Sequence, residues 1–244
     1  MRKVWAFPAT AIATVLIVGA GLWWSEARLP DLPPARGSLP TFADDHEAME
    51  FVAVIGDSFT SGSREGGTGL TNWTLAMEPS LKATHPNVIT RTSAKGGAGY
   101  VHGLDKGFNF DILAQATVYN TDDVVVLFGG LHDIEENQAL VYETAVTTIG
   151  NVKDAAPEAT VLVVGPAWTQ GPPSAGVRTV METIRHAAEA SRVTFVDPVA
   201  EGWFISRGDL IGSDNLQPTD EGHKYLAEKM APHVLAALDR ATAH

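Results

Sequence analysis

The feature that most constrains the fold is a regular alternation of short, uninterrupted apolar runs with longer segments of helical periodicity. Such runs suit strands that are buried on both faces of a parallel sheet, and helices must then cover both faces. The chain is therefore predicted to form an α/β fold, a three-layer α/β/α sandwich with a parallel sheet of about five strands. The runs lie at Phe51–Ile55, Asn87–Thr92, Val124–Phe128, Val161–Val164 and Val193–Val196, of which the second is the weakest.

Three helices are predicted from apolar residues that recur at a spacing of three or four. The first is marked by Leu140, Ala145, Ile149 and Val152, the second by Val177, Val180, Met181, Ile184 and Ala188 after a capping Ser174, and the last by Leu226, Met230, Leu235 and Leu238. In open parallel sheets the ligand lies beyond the carboxyl ends of the strands. The loops that begin at Gly56, Gly96, Gly129, Gly165 and Asp197 are therefore expected to surround one site.

The amino-terminal part of the chain differs from the rest in composition. Residues Val4 to Trp24 form an uncharged apolar run behind Arg2 and Lys3, long enough to cross a bilayer as a helix. Residues 1–28 are predicted to be a transmembrane anchor or a signal peptide, with Ser25-Glu26-Ala27 as a possible cleavage site. Residues 29–46 read as a proline-rich linker, and residues 47–244 as the folded domain, placed outside the cytoplasm or secreted after cleavage.

Composition excludes several classes of function. The net charge is −12, and no cluster of basic residues exceeds the pair at the amino terminus, so nucleic acid is not an expected partner. The chain has no cysteine, which excludes disulfides and thiolate metal sites. Five further histidines show no metal-ligand spacing with acidic residues and are predicted to lie on the surface, so no metal is expected. They are His46, His85, His102, His186 and His233.

The first predicted strand ends abruptly in Gly56, Asp57 and Ser58. A strand that stops at a small residue presents the next side chains at the carboxyl edge of the sheet. Enzymes of the α/β class place serine nucleophiles at such turns. Ser58 is therefore the leading candidate for a catalytic residue.

Four segments that follow predicted strands carry the remaining candidates. They are Gly56-Asp57-Ser58-Phe59, Gly96-Gly97-Ala98-Gly99-Tyr100, Phe128-Gly129-Gly130-Leu131-His132-Asp133 and Asp214-Asn215-Leu216-Gln217-Pro218-Thr219-Asp220-Glu221-Gly222-His223. In this order they resemble the four sequence blocks of the SGNH (GDSL-type) serine hydrolases, from Phe51 to the last helix. The resemblance implies the flavodoxin-like form of the sandwich and an esterase or lipase activity without any cofactor.

The resemblance also implies roles for single residues. Ser58 corresponds to the nucleophile, Asp214 to the acid that orients the catalytic histidine, and the amides of Ser58 and Gly97 to oxyanion donors. Two positions depart from the family pattern. His132 stands where the family has an oxyanion-binding asparagine, and Gln217 stands where it has the catalytic histidine.

These departures leave three interpretations open. Glutamine cannot act as a base, so the site could be inactive and serve only to bind a ligand. Base and donor could instead have exchanged loops, with His132 as the base for Ser58 and the Gln217 amide serving the oxyanion. Finally, Asp220 and His223 repeat the Asp-x-x-His spacing, so His223 is a third candidate base, or a residue that packs at the helix start.

Other residues near the predicted site have less specific roles. Asp57, Asp133 and Asp220 are expected to hold loops by hydrogen bonds rather than to react. The run Trp203-Phe204-Ile205 is expected either to line an acyl pocket or to form a satellite core. The sequence thus predicts a membrane-tethered, extracytoplasmic serine esterase that acts on a small-molecule, glycan or lipid ester. The alternative hypothesis is that the protein is catalytically inactive, has the same fold and binds acylated cell-envelope glycan or lipid.

Overall fold

The computed structural model describes residues 49–242, and in them the predicted sheet is confirmed. Five parallel strands lie in the order β2-β1-β3-β4-β5, so the chain starts near one edge and winds in both directions. The strands are β1 (Glu50–Gly56), β2 (Val88–Ala94), β3 (Val124–Phe128), β4 (Thr160–Val164) and β5 (Thr194–Val196). The order reverses between β1 and β3, which is where ligands bind in sheets of this type.

Helices cover both faces of the sheet. They are α1 (Ser58–Ser61), α2 (Trp73–Ala76), α3 (Glu78–Lys82), α4 (Phe110–Gln115), α5 (Gln138–Ala155), α6 (Ala175–Ala190) and α7 (Asp220–Ala241). The three long helices α5, α6 and α7 agree with the predicted ones. Four single 3₁₀ turns complete the described secondary structure, at Gly69–Thr71, Leu104–Lys106, Leu131–Asp133 and Gly208–Leu210.

Successive residues of the central strands point to opposite sides, which divides the interior into two cores. Val52 and Val54 pack with α7, whereas Ala53 and Ile55 pack on the face covered by α5 and α6. All four side chains are fully buried. Full burial of a valine or isoleucine side chain stabilises the fold by about 1.5–3 kcal/mol. The continuous apolar runs therefore specify the centre of the sheet.

Two expectations from the sequence are wrong, and a third concerns residues outside those that the structure describes. Leu140, taken as a core residue of α5, is 46% exposed, and His85, taken as a surface residue, is 8% exposed. The His85 ring lies between the carboxylates of Glu50 and Asp239, at 2.8 and 3.3 Å. The predicted membrane segment and linker, residues 1–46, lie outside the described residues. Between residues 49 and 242, no helix has the length and apolar character of a membrane span.

Candidate active site

Ser58 lies where β1 ends at the carboxyl edge of the sheet. It is the first residue of α1, and the side chain of the preceding Asp57 accepts a hydrogen bond from the amide of Phe59 at 2.9 Å. Gly56 permits this sharp turn, because a Cβ there would lie 2.2 Å from Thr60 Oγ1 and 3.0 Å from the Phe128 carbonyl. Ser58 is consequently presented at the edge of the sheet, where its side chain is half-buried.

Gln217 reaches Ser58 from the loop before α7. Its Nε2 donates a hydrogen bond to Ser58 Oγ at 2.9 Å. Because the serine oxygen accepts this bond, its own proton remains free to be donated to another group. An amide does not take up a proton at neutral pH, so Gln217 can polarise the hydroxyl without deprotonating it.

Asp214 shapes the loop that carries Gln217. One carboxylate oxygen accepts hydrogen bonds from the amides of Leu216, at 2.9 Å, and Gln217, at 2.8 Å. The Gln217 carbonyl in turn accepts a bond from the amide of Gly212 at 2.8 Å. The carboxylate that the sequence assigned to orienting a catalytic base thus orients the backbone of Gln217.

The glycine loop after β2 forms the next wall of the site. A Cβ on Gly96 would lie 3.8 Å from Ser58 Cβ, so this loop runs directly beside the serine. Gly97 has φ of +89°, a conformation that favours glycine. Within residues 49–242 its amide donates to no other protein group. A free amide on a loop that runs beside the serine is what an oxyanion donor requires.

His132 lies on the turn after β3. Its ring packs against that of His102, with centroids 5.7 Å apart, and His102 Nδ1 lies 3.2 Å from Glu136 Oε1. Burial, and secondly the proximity of His102, lowers the pKa of His132 below its usual value of 6.5. Its imidazole is therefore neutral at pH 7 and able to accept a proton. Among the described residues, no hydrogen bond joins it to Ser58.

Asp133 holds the glycine loop in place through hydrogen bonds to its backbone. Its carboxylate is fully buried and accepts bonds from the amides of Tyr100, Val101 and His102 at 2.7, 3.1 and 2.9 Å. Gly99 has to be glycine, because a Cβ there would meet the Asp133 carboxylate at 2.5 Å. Burial raises the pKa of Asp133, and the three amide donors counteract this. Asp133 thus fixes the loop that carries Gly97 relative to β3.

Asp57 is the second buried carboxyl group at the site. Burial raises its pKa from 3.8 to about 7, and the amide of Phe59 counteracts part of that effect. A side chain on Gly129 would collide with it, since a Cβ there would lie 2.6 Å from Asp57 Oδ2. Asp57 is therefore enclosed beneath the Ser58 turn.

His223 occupies a different place from the other candidate bases. It is fully buried in the first turn of α7 beneath Gly67, where a Cβ would lie 2.0 Å from its Nε2. Burial lowers its pKa to about 4, against the opposing charge of Asp220. Asp220 is bound to Gly67 N at 2.9 Å and to Thr71 Oγ1 at 2.8 Å. Within the described chain, neither ring nitrogen of His223 has a hydrogen-bond partner.

One contact of this region was not anticipated from the sequence. Glu65 accepts hydrogen bonds from the amide and the hydroxyl of Ser213, at 2.7 and 3.0 Å. It joins the loop after α1 to the loop that carries Gln217. The adjacent Gly66-Gly67 pair is a signal of close backbone approach, although it does not reveal the partner.

Comparison with known proteins identifies the family of this chain. Residues 54–225 match the model of the GDSL-like lipase/acylhydrolase family. The chain belongs to this family. It is also 36% identical over 184 residues to the GDSL lipase Rv0518 of Mycobacterium tuberculosis, an alignment that covers 74% of this chain and 80% of that protein.

Solved structures of family type share the fold. A lipase/acylhydrolase from Enterococcus faecalis superposes with a TM-score of 0.61 and 16% identity, covering 77% of this chain and 96% of the other. An acetyl xylan esterase gives 0.59 and 19%, covering 75% and 99%. These similarities support the SGNH-type sandwich, and the family as a whole is one of ester hydrolases.

Proposed function

We propose that the protein is a serine esterase in which the histidine and the amide have exchanged loops. The observation that carries the proposal is the hydrogen bond from Gln217 Nε2 to Ser58 Oγ. It places a donor, rather than a base, against the nucleophile, so the base has to approach Ser58 from another side. His132, with its neutral imidazole on the turn after the adjacent strand β3, is the base in this proposal.

The proposed reaction follows the usual two steps of acyl transfer. Ser58 Oγ bonds to the ester carbonyl carbon while His132 takes the hydroxyl proton. The alcohol leaves with that proton, and the amides of Ser58 and Gly97 stabilise the oxyanion. Water then attacks the acyl carbon and gives a proton to His132. The bond between that carbon and Oγ breaks, the acid leaves, and His132 returns the proton to Oγ. Gln217 donates to Oγ before the attack, and in the proposed exchange its amide then serves the oxyanion.

Covalent labelling with a fluorophosphonate tests this proposal. An activated Ser58 attacks phosphorus, fluoride leaves, and a stable Oγ–P bond remains. The full chain is expected to label, and Ser58→Ala is not. Ser61→Ala removes an exposed hydroxyl three residues away and is the matched control, which should label like the parent. Absence of labelling, together with absence of hydrolysis of p-nitrophenyl esters, would reject the esterase.

A binding protein without turnover is the second candidate. It is favoured by the position of Gln217, because the residue that fills the place of the catalytic histidine cannot accept a proton. In that case the serine and the free Gly97 amide would hold an ester carbonyl without attacking it. Saturable binding of an ester that the protein leaves intact would distinguish this function.

We also propose that the site faces the outside of the cell and acts on a glycan, lipid or small-molecule ester. The support is the apolar run from Val4 to Trp24 behind two basic residues. Membrane fractionation and the intact mass of the mature protein test this placement. A soluble cytoplasmic protein of full mass would contradict it.

A further inference from the structure

A cavity of about 480 Å³ lies between the loop after β4 and the loop after β5. This volume is within the range of small-molecule sites in proteins. Its floor and walls are mainly aromatic and aliphatic, and they include Trp168, Pro172, Pro173, Trp203, Phe204 and Ile205. The two rings of Trp203 and Phe204 are buried in the floor, whereas Ile205 is 66% exposed at the mouth.

The two indole N–H groups and the one charged side chain of this cavity are already paired within the protein. Trp203 Nε1 donates to Glu201 at 2.9 Å, and Trp168 Nε1 donates to the Gln170 carbonyl at 3.1 Å. The one charged lining residue, Arg207, makes two hydrogen bonds of 3.0 Å to Asp209. A charged or strongly polar occupant would find few free partners there. The cavity therefore suits an uncharged hydrocarbon group.

Two sets of contacts connect the cavity to the serine. The Phe204 ring packs edge-on against that of Phe59, the residue after Ser58, with centroids 6.3 Å apart. On the opposite wall, Thr169 Oγ1 donates to the Leu216 carbonyl at 3.3 Å, and Gln170 Nε2 donates to the Asn215 carbonyl at 3.2 Å. The wall is thus bonded to the loop that carries Gln217. The walls of the cavity are therefore linked both to the turn that carries Ser58 and to the loop that carries Gln217.

The backbone of the lining loop is held in a costly conformation. Phe204 and Ser206 have φ of +62° and +57°, which is unusual for residues other than glycine and most unusual for a bulky one. Such residues concentrate at ligand clamps and active sites. This second observation supports a function for the loop beyond closing the core.

We infer that this cavity binds the hydrocarbon part of the ester, so that the substrate carries an apolar chain rather than only an acetyl group. The inference rests on the proposed esterase function and specifies its substrate class. The chain belongs either to the acyl or to the alcohol side of the ester. Both sources have the same chemistry, and kinetics distinguish them.

The kinetic test compares kcat/KM for p-nitrophenyl octanoate and acetate, and for octyl and ethyl acetate. We expect a preference of about tenfold or more for the longer chain in one of the two pairs, because buried methylenes add binding energy. Ile205→Asp and Trp168→Ala should each reduce that preference about tenfold. Leu140→Asp, on an exposed leucine in α5 that lies outside the cavity, should leave it unchanged. Equal rates in both pairs, or a preference insensitive to Ile205→Asp, would overturn the inference.

A binding test does not depend on turnover. The uncharged dye N-phenyl-1-naphthylamine should gain fluorescence with the full-length Ser58→Ala protein and lose most of that gain in Ser58→Ala/Ile205→Asp. The difference between the two proteins is the readout, since the apolar run near the amino terminus is common to both. If Ile205→Asp abolishes the dye signal while the parent protein hydrolyses no ester, the cavity is upheld and the esterase is rejected. If the two Ser58→Ala proteins give equal signals while the parent hydrolyses esters, the esterase is upheld and the cavity inference is rejected.

Discussion

The loops on the two sides of Ser58 differ in how closely they match the family's sequence pattern. On one side, the Ser58 turn and the glycine loop keep the family pattern, and the loop approaches the serine at Gly96. On the other side, Gln217 and His132 both depart from it. Each side is nevertheless held by an aspartate that accepts backbone amides, Asp133 on the first and Asp214 on the second. The comparison indicates that the residues that shape loops are separable from the residues that do chemistry.

The largest expected effect comes from His132→Asn, which restores the family residue but removes the proposed base. We expect kcat to fall by about 10³-fold, within the usual range for loss of a general base. Because burial lowers the pKa of His132, the acid limb of the parent kcat/KM profile should have its midpoint below pH 6.5. Steady-state kinetics over pH 4–9 measure both quantities, with His186→Asn, an exposed histidine on α6, as the control.

The double variant His132→Asn/Gln217→His sharpens the same comparison. It returns both chemical groups to the positions of the family pattern while the loops stay the same. We expect it to recover activity to within about tenfold of the parent, a strong departure from additivity. A parent that is inactive and a double variant that is active would instead identify a silent site on an intact scaffold.

A smaller effect is expected for Gln217→Leu, which preserves size and removes the donor to Ser58 Oγ. Loss of one donor to developing charge lowers kcat by about 10²-fold. Gln115→Leu, on the exposed surface of α4, is the matched substitution and should have no effect. If Gln217→Leu kept full kcat, the hydrogen bond to Ser58 would have no part in the reaction.

The next prediction concerns stability rather than rate. Gly67→Ala places a Cβ against the His223 ring at a φ of +76°, so we expect a loss of about 3 kcal/mol in the free energy of unfolding. Gly69→Ala has a similar φ of +61° and open space around it, and should cost only about 1–2 kcal/mol. Urea denaturation measures both. Equal losses would show that the packing against His223 is unimportant.

The smallest effect is a dependence of stability on pH. The pKa of Asp57 is 3.8 ordinarily and about 7 in the fold, so the protonated carboxyl stabilises the protein fully below pH 3.8. That contribution is lost as the pH rises through about 7. Asp57→Asn should therefore gain stability relative to the parent between pH 4 and 8, by on the order of 1 to 3 kcal/mol. A difference that stays constant over this range would contradict the prediction.

The sequence predicts the centre of the fold better than its edges. β1 and β3 were recognisable because they are apolar throughout, as strands covered on both faces must be. The edge strand β2 extends to Ala94, two residues beyond its predicted end, because its exposed positions interrupt the apolar pattern. The short helices α1 to α4 have too few turns for a periodic signal.

The candidate site was predictable in its residues and not in its contacts. Ser58, Gly97 and Gln217 could be selected from motif order alone. The sequence could not show that Gln217 donates directly to Ser58, nor that His223 is enclosed beneath Gly67. It also contains no local signal for the bond between Glu65 and Ser213, because the two residues are 148 positions apart.

That long separation recurs around the serine. The bond from Gln217 to Ser58 spans 159 positions and that from Gly67 to Asp220 spans 153. Such distant pairings form late, after the intervening chain has been ordered. During synthesis, a ribosome-bound chain exposes Ser58 before the loop that carries Gln217 has been made. The hydrogen bond between the two residues can therefore form only after all five strands of the sheet have been made.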